Sequence, residues 1–196
     1  FNSGFQEEAL EVALHQISCF PKAYPIVVPS GSCGAMMVRH YPELFEGHPL
    51  EQKAIEFSSR IFELSEFLHH VLKISLKDQG VPVKVTWHTS CHANRELGLG
   101  DEAKQLVKQL ENVELKELER EDECCGFGGT FSVKQPMISG EMVLDKCSDV
   151  LKTGSDYLLS GDCGCLMNIQ GSLEKQQSNV QSMHFASFLW ERNRGS

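Results

Sequence analysis

A chain of 196 residues, 41% hydrophobic and 23% charged, fits one or two soluble globular domains. No apolar run approaches the roughly 20 residues that a bilayer span needs, and the net charge of −9, from 18 basic and 27 acidic residues without a Lys/Arg cluster, argues against nucleic acid as a partner. The opening Phe1-Asn2-Ser3-Gly4 has neither charge nor a long apolar stretch behind it, so no export signal is read; the expected location is the cytoplasm, where thiols stay reduced and spaced cysteines point to metal or redox chemistry.

In chain order, Leu10, Ala13, Leu14 and Ile17 share one face and predict a helix over 7–20. Ile26-Val27-Val28 reads as a short buried strand that ends in the turn Pro29-Ser30-Gly31-Ser32-Cys33. A helical piece runs from about Gly34 to Pro42, and Gly47-His48-Pro49 is a loop. Ala54, Phe57, Ile61, Leu64, Leu68 and Val71 step by three and four and predict one long amphipathic helix over 52–73. The second half repeats the rhythm: strand 83–87 followed by Ser90-Cys91-His92, helix 102–110, strand 113–118, and a loop to Gly129 that carries Cys124-Cys125. Then come helix 139–152 closed by Gly154, strand 157–159, a helix from Cys163 to about Lys175, strand 180–183 and helix 185–191.

Strands alternating with helices predict an α/β, Rossmann-like fold, with mostly parallel sheets and helices on both faces. In such sheets ligands collect at the carboxyl ends of the strands, where Cys33, Cys91 and Cys163 fall. The strand–turn–helix segments 26–39 and 157–170 read as a duplication, so two pseudo-repeated halves are expected. Aligning Cys33 with Cys165 sets Ser30 over Asp162.

Of the eight cysteines, five sit in three short, widely spaced places: Cys91, Cys124-Cys125, and Cys163-Gly164-Cys165. Thiolates gathered from three loops suit a thiophilic metal or an iron–sulfur cluster. They suit a disulfide framework badly, because a chain of this length can bury its own core. Adjacent side chains diverge, so Cys124 and Cys125 reach two metals of a cluster more naturally than one tetrahedral ion; a Cys₄ zinc stays open as the alternative. A strained vicinal disulfide exchanger ranks third. Gly126, Gly128 and Gly129 let backbone N–H groups approach the sulfurs. Cys163 is read as either a ligand or a nearby free thiol, and Cys33 as either an orphaned ligand or a plain thiol. Cys19 and Cys147 read as packing residues. His92 is either a donor near the site or a turn residue satisfying its own backbone, and His69-His70 a solvated pair. No dinucleotide or phosphate-loop motif occurs.

Three strings carry a family resemblance: Thr89-Ser90-Cys91-His92, Glu123-Cys124-Cys125-Gly126-Phe127-Gly128-Gly129, and Gly164-Cys165-Leu166-Met167-Asn168-Ile169. A cysteine, a long spacer, Cys-Cys-Gly, a second long spacer and a final cysteine make a pattern that resembles the CCG cysteine-rich domain. That domain also occurs in heterodisulfide reductase, in the glycolate oxidase iron–sulfur subunit and, with the most similar strings, in the lactate-utilisation A proteins. The resemblance implies an iron–sulfur oxidoreductase subunit with a 4Fe-4S type cluster on Cys91, Cys124, Cys125 and Cys165, with or without Cys163. It implies electron transfer during oxidation of L-lactate to pyruvate, with the other subunits of a lactate-oxidising complex as partners; a redox-inert zinc scaffold is the rival. Family members carry two such motifs, so residues 1–75 are expected to be the remnant of a first half whose front is missing, with Cys33 left from its site. Residues 76–196 are expected to be a complete second half. An open sheet edge left in the first half would favour self-association. The family pattern also ends in Cys-x-x-Cys, whereas here Asp162 stands where the first of those cysteines belongs.

Overall fold

The computed structural model describes residue 1 and residues 3–194. Helix α1 (Gln6–Cys19) buries Ala13 and Ile17. They pack against strand β1 (Ile26–Val28), whose inward residues alternate as a pleated strand requires. Ser30 caps the next helix, its hydroxyl accepting from Cys33 N–H. The helical path then runs through α2 (Gly31–Ala35), a π-helical stretch (Met36–His40) and α3 (Tyr41–Leu44), so it starts earlier than the apolar pattern indicates and passes Pro42, which sits in α3's first turn where its missing N–H costs nothing.

The predicted long helix over 52–73 is four elements. Helix α4 (Glu51–Ser58) stops at Ser58-Ser59-Arg60, strand β2 (Ile61–Glu63) pairs parallel with β1 (Ile26 opposite Ile61), and helix α5 (Leu64–Glu66) passes into a π-helical stretch (Phe67–Val71). Glu63 explains the break. Its extended backbone and its carboxylate, accepting from the N–H groups of Ser65 and Glu66, form a capping box with Glu66, which starts a new helix.

The second half holds a four-stranded parallel sheet in the order β4-β3-β5-β6, formed by β3 (Val83–Trp87), β4 (Val113–Lys116), β5 (Tyr157–Ser160) and β6 (Gln181–His184). Its helices are α6 (Glu102–Val107), α7 (Thr130–Lys134), α8 (Pro136–Lys152), α9 (Cys163–Lys175) and α10 (Phe185–Arg194). Neighbouring residues of β5 point to opposite faces. Leu159 packs with Val85, Leu106 and Phe185 on one side, and Leu158 with Val150, Ile169 and Leu173 on the other. Both faces are therefore covered, which is why this strand reads as a plain apolar run.

Strand order reverses between β3 and β5: the connection from β3 leads outward to β4, and the chain then returns to β5 on β3's other side. This crevice, at the carboxyl ends of β3 and β5, is where parallel sheets place their ligands. The two halves meet beside it. Asp162 accepts hydrogen bonds from the hydroxyls of Ser30 (2.7 Å) and Ser32 (2.6 Å), so the two positions that the sequence alignment superimposed are in direct contact. A Cβ on Gly31 would lie 2.5 Å from that of Ala93, so only glycine lets the halves come this close.

Candidate metal centre

Three segments deliver sulfur to the crevice. Cys91 begins the helical turn after β3, capped by Ser90, whose hydroxyl accepts from Ala93 N–H at 3.2 Å. Cys124 and Cys125 lie on the loop between β4 and α7. Cys165 sits on the buried face of α9. Gly126 shapes the cysteine-pair loop: its φ is +81°, and a Cβ there would lie 2.7 Å from the Ser139 carbonyl. Ser139 donates to Gly126 O at 2.8 Å and Asn168 to Cys125 O at 2.8 Å, which pins the loop to α8 and α9.

The four sulfurs form one interacting chain. Cys125 hydrogen-bonds Cys124, and Cys91 does the same from the other side, so Cys124 is held well below the ordinary thiol range. Cys91 is pushed up by its bond to Cys124 and by burial. Cys125 is pushed up by its bonds to Cys124 and Cys165 and by burial. Cys165 falls to about 6 through its bond from Cys125, helped by the nearby His88 against the effect of burial. Opposed shifts of this kind are what closely packed thiols produce, and a bound cation would favour the deprotonated form of all four.

His88 completes the group. It follows β3 directly, and its N–H donates to Leu159 O at 2.9 Å, tying it to β5. One imidazole nitrogen and the sulfurs of Cys125 and Cys165 lie within 4.8 Å of one another, an arrangement that could hold a metal ion. The ring is 1% exposed, and neither nitrogen has a hydrogen-bond partner among the described residues. Buried polar groups are normally paired, and leaving one unpaired costs about 1–3 kcal/mol. Four soft sulfurs and an orphaned imidazole therefore fit a thiophilic metal. Sequence reasoning missed His88, although a signal was present: it follows a strand end, as Cys91 and Cys163 do.

Charged residues hold the frame. Glu121 accepts from Lys104 (3.0 Å) and from the Thr89 hydroxyl (2.5 Å), and Thr89 accepts from the Trp87 indole (2.9 Å). Asp149 accepts from the N–H groups of Glu119 and Arg120, and the buried Lys146 donates to Arg120 O. The loop that leads to Cys124 is thereby fixed to α6 and α8.

The remaining candidates fall elsewhere. Cys163 is exposed; two residues apart on an α-helix are rotated by about 200°, so it cannot share the inward face of Cys165. Cys33 is also exposed, in α2. Cys19, expected in the core, is exposed with its sulfur 3.8 Å from His15, because it is rotated about 200° from the buried Ile17 on α1. Cys147 is wholly buried, as its apolar stripe indicated. His92 turns Nδ1 to 3.6 Å from the Cys91 sulfur. His70 bonds Glu102 at 3.2 Å at the surface.

The CCG cysteine-rich domain matches residues 85–170, the span that contains all four sulfurs and His88. Lactate utilization protein A of Lysinibacillus sphaericus (strain C3-41) is 42% identical over 190 residues, covering 96% of this chain and 83% of that protein. The chain belongs to the lactate utilization protein A family. The relative from Shouchella clausii (strain KSM-K16) is 43% identical over 96% of this chain and 79% of its own length, and that from Geobacillus sp. (strain WCH70) 42% identical over 98% and 81%. Family membership and the crevice geometry agree on a cysteine-rich, metal-binding second half. Among the described residues no helix is long and apolar enough to cross a membrane.

Proposed function

We propose that this chain is the iron–sulfur electron-transfer subunit of a cytoplasmic complex that oxidises L-lactate to pyruvate, with a 4Fe-4S type cluster held by Cys91, Cys124, Cys125 and Cys165. The observation that carries the reading is the meeting of sulfurs from three separate segments at the switch point of a parallel sheet. The substrate rests on the names of the relatives, "Lactate utilization protein A". Lactate gives up two electrons and two protons on becoming pyruvate; the cluster, when bound, would relay electrons. The chain's own residues grip and shield it: the thiolates ligate, Gly126 N–H points at Cys124 sulfur from 3.4 Å, and His92 lies against Cys91. In this reading the chemistry at the lactate hydroxyl belongs to partner subunits. In this reading, too, residues 1–75 belong to a first half and 76–196 to a second, and the exposed Cys163 and Cys33 stay outside the donor set.

One observation favours a second reading. The close grouping of Cys125, Cys165 and His88 also suits a single tetrahedral zinc, which would make the centre a redox-inert scaffold. Metal and acid-labile sulfide analysis of anaerobically purified protein decides. Iron with sulfide and a brown charge-transfer band is expected; one zinc per chain without colour would replace the first reading with the second.

A further inference from the structure

We propose that His88 is itself a donor of the metal centre, binding through one imidazole nitrogen and supplying the fifth ligand that the sequence pattern denies to position 162. The inference rests on the metal-centre reading above and extends it to a residue outside the cysteine pattern.

Three observations carry it. First, His88 is 1% exposed, and both its ring nitrogens lack a partner among the described residues. A buried neutral imidazole normally spends its N–H on a carbonyl, carboxylate or water and accepts at the other nitrogen. This one has no such oxygen partner among the described residues and faces the Cys165 sulfur instead, although its backbone is fixed by the bond to Leu159 O. Second, the ring is aimed at the sulfurs, within 4.8 Å of both Cys125 and Cys165, which is the span of two ligands on one ion. Imidazole nitrogen and thiolate sulfur are joint ligands of zinc and of iron in proteins.

Third, the other candidates for a fifth donor are occupied elsewhere. Asp162 stands where a cysteine is expected, yet its carboxylate accepts from the Ser30 and Ser32 hydroxyls and from Ser32 N–H in the first half, and from Ser90 in the second. The charge at 162 is thereby committed to joining the halves. Cys163 is exposed, on the opposite side of α9 from Cys165. His92, the other histidine near the site, lies beside Cys91 and at 3.6 Å from Glu96, at the solvent side. Replacing thiolate by imidazole removes one negative charge from the centre, as in two-histidine iron–sulfur sites, where it raises the potential.

The test uses the full chain labelled with ¹⁵N in histidine alone, loaded anaerobically either with Co²⁺ alone or with iron and sulfide. Pulsed electron paramagnetic resonance of the paramagnetic product reads ¹⁵N coupling. Strong coupling from a directly bound nitrogen is expected in the unaltered chain and in His92→Gln. It should vanish in His88→Cys, which keeps a soft donor and hence the metal. A metal-loaded unaltered chain without such coupling, or coupling that survives His88→Cys, overturns the assignment and leaves the sulfur site standing. An unaltered chain that takes up neither Co²⁺ nor iron contradicts the metal-centre reading itself, and this inference with it.

Discussion

At the scale of single residues, Asp162 shows how one substitution in a family pattern can move a position from metal chemistry to architecture. Burial alone would raise its carboxyl, but hydrogen bonds from Ser32, Ser90 and Ser30 hold it below the usual range. A carboxylate with a depressed pKa adds stability that is present above about pH 4 and lost as pH falls through the folded value. Asp162→Ala removes the acceptor and leaves three hydroxyls facing a hole. The expected loss is about 3 kcal/mol, since bonds to a charged group are worth roughly 1.5–3 kcal/mol each and part of the cost is offset by water entering. Urea melts at pH 7 check this, and Asp162→Asn should recover part of the loss. A change within about 0.5 kcal/mol would mean that the contact between the halves contributes little.

At the scale of elements, α10 is pinned to the start of the four-stranded sheet by a buried ion pair. Arg192 donates to Asp78 at 2.7 Å and to Val81 O at 2.6 Å, while Asp78 also accepts from the N–H groups of Gly80 and Asn112. Breaking such a pair by removing one partner leaves an uncompensated buried charge, so Asp78→Ala is expected to destabilise by about 3–5 kcal/mol. Asp78 titrates low: burial opposes ionisation, but the bonds from Arg192, Gly80 and Asn112 outweigh it. Its contribution is therefore full above about pH 5 and fades below about pH 4. In acid melts the gap between Asp78→Ala and the unaltered chain should narrow in that window; a gap that stays constant would contradict the ion-pair account. Sequence periodicity was a good guide to elements of this half, because its strands are apolar runs between clear turns. It failed over 52–73, where residues stepping by three and four mimicked one helix. What it could not weigh was the capping chemistry of Glu63 or the pairing of Ile61 with Ile26, which is a long-range contact. It also placed Cys19 in a core that its side of α1 does not face.

At the scale of the whole molecule, the sheet order gathers residues that the chain keeps far apart. Cys91, Cys124, Cys125 and Cys165 were legible as one set because each sits beside a glycine-rich or strand-end turn. His88 was not, because its place at a strand end does not by itself tell an imidazole that meets sulfur from one that meets a carbonyl; the pairing of β3 with β5 brings it to Cys165. The central claim is that three separate segments build one metal centre. It is tested most directly by iron bound per chain, after anaerobic reconstitution with iron and sulfide, in Cys91→Ser set beside Cys147→Ser. Cys91 comes from the segment furthest in sequence from α9, whereas Cys147 is fully buried in the same core as Cys125 and Cys165 but bonds Ile169 O rather than the cysteine group. Cys91→Ser is expected to lose most of its iron while folding normally by circular dichroism, and Cys147→Ser to keep its iron at a modest cost in stability. Full iron in Cys91→Ser, or loss of iron in a folded Cys147→Ser, would contradict the account.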